Sequence, residues 1–99
     1  MANITQREVF IMEYRRFGNT IYLRLDPKEE ILEEIGKVAK KENIRLAQVT
    51  GLGAINDFTA GVYNTVTKEY HSIQFQGAFE IVSLTGTVTR KDGDVYLHL

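Results

Sequence analysis

Residues 77–99, GAFEIVSLTGTVTRKDGDVYLHL, decide how the rest of the chain is read. Ala78 to Arg90 is a long run rich in β-branched and aromatic residues, Lys91-Asp92-Gly93-Asp94 is a turn sequence, and Val95 to Leu99 resumes strand-like alternation. The stretch therefore predicts a β-hairpin with a long first arm. Its second arm is still apolar at Leu99, whereas chain ends are usually solvated and frayed. The expectation is a domain covering residues 1–99 that is incomplete at its C-terminal side.

Working outward, five further strands are expected: 8–16, 20–25, 44–50, 55–63 and 68–76. The first two face each other across a turn at Phe17-Gly18-Asn19. Between them and the rest lies one helix. Asp26-Pro27-Lys28-Glu29 has the order of a helix start, with Asp26 as cap, Pro27 at the first position and Glu29 at capping-box spacing. Ile31, Leu32, Ile35, Val38 and Ala39 then recur at helical spacing, with Glu and Lys residues on the other side. Acidic residues lead and lysines trail, as the helix dipole favours, and the helix should end near Asn43. Gly51-Leu52-Gly53 reads as a tight turn. One helix over a mostly antiparallel sheet of about seven strands makes an α+β domain.

Composition narrows the function classes. Twelve Lys and Arg against thirteen Asp and Glu leave a net charge of −1, which gives no long-range field toward phosphate backbones. With no cysteine, disulfides and thiolate metal sites are excluded, so a metal would need His and carboxylate ligands. The sequence contains no apolar run of the roughly 20 residues that span a bilayer and no basic-then-apolar leader pattern. A cytoplasmic location is the expectation.

Four local matches give the chain a family likeness. They are Tyr22-Leu23-Arg24-Leu25-Asp26 at the strand-to-helix junction, Val49-Thr50-Gly51-Leu52-Gly53-Ala54, the decapeptide Gly77-Ala78-Phe79-Glu80-Ile81-Val82-Ser83-Leu84-Thr85-Gly86, and Gly93 followed by Leu97-His98-Leu99. Together they resemble the PPC domain (plants and prokaryotes conserved), found in small prokaryotic proteins and in plant AT-hook nuclear proteins. The third match, like the family's G-x-F-E-I-x-S-L-x-G, is the most specific. The resemblance implies a homotrimer. It also implies a metal site, zinc being one candidate ion, built from an H-x-H strand and a following Gly/His-rich segment. Of those positions only the one at His98 occurs within residues 1–99.

Three residues are singled out as a polar cluster. His98 reads either as one metal ligand or as a strand-end histidine meeting water, and one histidine cannot hold a metal alone. Glu80 shares an apolar strand face with Val82, Leu84 and Val88. It reads as a general base, as an anchor for a histidine site, or as half of an ion pair with Arg24 as a possible partner. Arg24 reads as that partner or as a solvated edge residue. His71 alternates with Ile73 and Phe75 and is expected to be partly buried. Neither a dinucleotide fingerprint nor a G-x-S-x-G elbow is present.

The leading functional expectation is a trimeric small-ligand or metal-binding module. A DNA-binding regulator, by analogy with the AT-hook relatives, is the alternative, although the Arg-Gly-Arg-Pro-type segment that reads the minor groove in them is absent from this sequence. A metal-dependent enzyme with Glu80 as base is a third reading.

Overall fold

A computed structural model describes residues 12–99; the first part of the expected strand at 8–16 lies outside them. The described residues form seven strands and one helix: β1 (Glu13–Phe17), β2 (Thr20–Arg24), α1 (Ile31–Lys41), β3 (Ala47–Ile55), β4 (Phe58–Asn64), β5 (Glu69–Phe75), β6 (Phe79–Lys91) and β7 (Asp94–His98). This is the α+β content expected. The strands are distributed over three sheets, β1-β2, β3-β6-β7 and β4-β5. Three of the pairings are sequence-local antiparallel hairpins closed by their own turns.

Two compact units result among the described residues, one of residues 12–47 with Thr87–His98, the other essentially Gln48–Gly86. In the first, Phe17 pairs with Thr20 across a two-residue turn at Gly18-Asn19, where Gly18 has φ +61°. Asp92 (φ +53°) and Gly93 (φ +87°) make the matching Asp-Gly turn between β6 and β7. Both follow from the preference of right-twisted hairpins for positive φ in their loops.

The helix begins later than the capping pattern suggests. Lys28 takes φ +76°, which breaks helical continuation, and Glu29 N–H donates to the Asp26 carbonyl at 3.2 Å to close a separate turn. Glu29 still makes a capping-type bond, its Oε1 accepting from Asp26 N–H at 2.6 Å, while Oε2 accepts from Met12 N–H at 2.7 Å. The helix proper is capped by Glu30, whose carboxylate accepts from Leu32 and Glu33 N–H. At the other end Asn43 (φ +53°) and Ile44 donate back to Lys40 and Ala39 carbonyls, a Schellman closure with Asn in the left-handed position. The buried core of this unit is small: Val38, Ala39 and Val88. The helix lies against β7, with Leu97 nearest Gly36, and the Arg90 guanidinium donates to the Ile44 carbonyl at 3.0 Å.

In the second unit β3 runs straight through Gly51-Leu52-Gly53, so the expected tight turn is instead a strand irregularity. Gly53 is extended with φ +149°, a region of the mirror-image β basin that only glycine enters readily. Phe58, Phe75 and Phe79 form an aromatic cluster with centroids 5.1–6.3 Å apart. Beyond it β4 and β5 continue as a two-stranded ribbon, closed by a loop in which the Asn64 side chain accepts from Val66 and Thr67 N–H.

Candidate functional site

The ribbon is the most unusual surface of the molecule. Every residue from 59 to 80 is exposed, and no residue of Gln48–Gly86 is fully buried. Cross-strand register places Ala60 opposite Ile73 and Val62 opposite His71, so one face carries Phe58, Val62, Ile73 and Phe75. Val62 is 70% exposed and Ile73 63%. Tyr63 and Tyr70 are opposite each other on the second face. The Tyr70 ring covers Gly61, whose hypothetical Cβ would lie 2.8 Å from Tyr70 Cε2 and 2.9 Å from Ser72 Cα. His71, expected to be partly buried, is exposed, as are its neighbours Val62 and Ile73 on the apolar face that it shares. An isolated two-stranded ribbon is at best marginally stable in water. Among the described residues, this surface leaves Val62 and Ile73 open to water.

The three residues singled out from the sequence are not brought together by bonds among the described residues. Arg24 ends β2, and its guanidinium is shared between Glu13 at 3.3 Å and Asp26 at 3.4 Å. Hairpin register explains the first partner, since Glu13 stands opposite Arg24. Glu80 is the second residue of β6 and is exposed; it makes no side-chain hydrogen bond or ion pair among the described residues. His98 closes β7 opposite Thr87, on the face shared with Tyr96 and turned away from Val95 and Leu97, as the alternation predicts. Among the described residues no three His, Asp or Glu side chains converge as a metal site. The residues present therefore do not by themselves fit a metal ion.

Two arrangements escaped the sequence reading. Glu42, the helix C-cap, accepts from the Tyr14 hydroxyl at 2.8 Å and from Arg16 at 2.9 Å, tying β1 to the end of α1. The Tyr14 hydrogen bond, followed by that from Arg16, holds the Glu42 carboxyl below its ordinary range. The same bond to Glu42 pushes the Tyr14 hydroxyl up. Lys37 is raised by its bond to the buried Glu34. The second arrangement is the outer face of the β1–β2 hairpin. There Glu13, Arg15, Phe17, Tyr22 and Arg24 lie together, a consequence of register that period-two alternation could have revealed. A shallow depression of about 280 Å³ is lined by Glu13, Tyr14, Arg15, Tyr22, Leu23 and Arg24.

The model of the Plants and Prokaryotes Conserved (PCC) domain, the family abbreviated PPC above, matches residues 12–99. Among solved structures, the chain is similar to a protein from Bacteroides thetaiotaomicron named "putative DNA binding protein" (30% identity, TM-score 0.82, 88% of this chain and 61% of that one). It is also similar to a plant- and prokaryote-conserved protein from Pyrococcus horikoshii (32% identity, TM-score 0.74, 89% and 59%). A metal-containing protein from Archaeoglobus fulgidus shares the fold at 23% identity and TM-score 0.68, with coverage of 89% and 56%. The chain thus spans about three fifths of the length of these structures. No curated protein matches it. Among the described residues, no helix is long and apolar enough to cross a membrane.

Proposed function

Because the chain belongs to the Plants and Prokaryotes Conserved domain family, we propose that it is a cytoplasmic, homotrimeric binding module whose subunits cover one another's exposed strands. The observation that carries this reading is the unpartnered apolar ribbon, with Val62 and Ile73 each more than half exposed. Single copies of soluble proteins rarely leave such patches open to water. The need for a cover comes from the ribbon, and the number three from the family resemblance.

A substitution on the ribbon tests this. Ile73→Asp replaces a side chain already 63% exposed, so in a lone chain it should leave the unfolding transition nearly unchanged. In the assembly it buries a charge, and it should shift the mass from trimer toward monomer. An unchanged trimer would refute the ribbon's role.

The ligand of such a module is proposed to be a small molecule or a divalent ion such as zinc. His98 would contribute one ligand. Zinc titration monitored by calorimetry, compared with His98→Ala, tests that arm; identical heats would remove His98 from it. The neighbour from Bacteroides thetaiotaomicron favours a second reading, a duplex-DNA regulator. That reading requires a salt-sensitive mobility shift of an A·T-rich duplex, which a net charge of −1 does little to promote.

A further inference from the structure

We propose that the outer face of the β1–β2 hairpin is a platform for single-stranded nucleic acid. Phe17 and Tyr22 would stack on bases, and Arg15 and Arg24 would hold phosphates. The hairpin has two unlike faces. Tyr14, Ile21 and Leu23 on one side are half-buried, and Tyr14 is held by Glu42. On the other side Phe17 is 62% and Tyr22 66% exposed, with their rings edge to face at 5.9 Å. A merely solvated strand face would carry Thr, Lys and Glu. Here two exposed aromatic rings, packed edge to face, stand with Arg15 and Arg24 alongside Glu13 and Thr20.

Register makes this a compact unit. Arg15 is directly opposite Tyr22, and Arg24 lies two residues along the same face, beside the 280 Å³ depression. Arg15 has no carboxylate partner among the described residues; its one bond is a long 3.4 Å contact to the Tyr14 carbonyl. Arg24 is 62% exposed and shares its charge between two carboxylates at 3.3 and 3.4 Å, a loose hold that a phosphate can compete with. On this face Arg15 and Arg24 stand with Glu13, while Arg24 also meets Asp26 and Arg16 lies on the opposite face bonded to Glu42, so Arg15 is the platform arginine without a carboxylate partner among the described residues. At physiological salt, fields are screened beyond about 8 Å, so a bound strand meets Arg15 at short range rather than the field of the whole chain. Among the described residues no cation lies over the Tyr22 ring, whereas Tyr14 and Tyr96 each have a lysine there. The Tyr22 face is open to a base. Stacking tolerates any sequence, and flanking arginines supply the salt-dependent part of such binding.

Single strands are favoured over duplex because stacking on Tyr22 needs an unpaired base. The inference is thus independent of the duplex reading above: a chain that leaves duplex unshifted but binds single strands fails that one and supports this one. The test is fluorescence anisotropy of a labelled twelve-residue oligothymidylate titrated with the full chain at low salt. Saturable, salt-weakened binding is expected. Tyr22→Ala should weaken it about tenfold, and Tyr22→Phe should retain it. Arg15→Ala should lower the salt slope by about one. Tyr96→Ala, on a different hairpin, should leave affinity unchanged. Three results would overturn the proposal: no binding at 100 µM protein, binding indifferent to Tyr22→Ala, or preference for the duplex. A Tyr22→Ala chain that loses its oligomeric mass while the parent binds no oligonucleotide would overturn it too, by assigning the face to a contact between copies.

Discussion

Gly61→Ala tests whether the β4–β5 ribbon is built as described. An added Cβ would meet the His71 carbonyl, Tyr70 Cε2 at 2.8 Å and Ser72 Cα at 2.9 Å. The first and third are backbone atoms of the paired strand, so rotation of one side chain cannot relieve them. The ribbon must open locally or shear. Overpacking of this kind costs about 1–3 kcal/mol. For a chain of this size that is a fall in melting temperature of roughly 5–20 °C, followed by circular dichroism. Tyr70→Ala in the Gly61→Ala background removes only the ring contact, so it should recover less than half of the loss. If the ribbon is covered by other subunits, the melting temperature of the variant should also depend more steeply on protein concentration than that of the parent. A Gly61→Ala chain melting within about 2 °C of the parent would refute the close strand approach at Gly61.

Three further outcomes follow from the first unit. Asn43→Val places a β-branched residue at φ +53° and should cost about 1–2 kcal/mol in urea unfolding, while Asn43→Gly should cost nothing. Val88→Ala, at a position 3% exposed, should cost about 2 kcal/mol by the same assay. Glu42 is held below the ordinary carboxylate range, so its contribution is present above that range and is lost as pH falls through its lowered folded-state value. Glu42→Gln should therefore be less stable than the parent at neutral pH, with the two unfolding curves converging in acid; a gap that stays constant with pH would rule out the charge effect.

Much of this fold is legible in residues whose periodicity and turn chemistry agree. The apolar spacing from Ile31 to Ala39 gave the helix, and Asp92-Gly93 fixed a hairpin with its register. The helix start was misread because Asp26 and Glu30 both have cap chemistry, and only the positive φ of Lys28 selects Glu30. Gly51-Leu52-Gly53 failed for a similar reason, since a glycine at positive φ serves a strand irregularity as well as a turn. The candidate site was harder to see. The possible Arg24–Glu80 pair came from residue type, whereas the partners Arg24 takes are Glu13 and Asp26. Counting outward from the Gly18-Asn19 turn puts Glu13 opposite Arg24, so this pairing was available from the sequence. The exposure of Glu80 and His71 was not, because alternation shows which face is apolar but not what covers it.

What covers it is the central claim. Light scattering coupled to size-exclusion chromatography, at high micromolar protein, measures the answer directly. The account predicts a homotrimer of about 34 kDa, against 11.3 kDa for one chain. A monodisperse monomer at that concentration, with the ribbon still folded by circular dichroism, would contradict it.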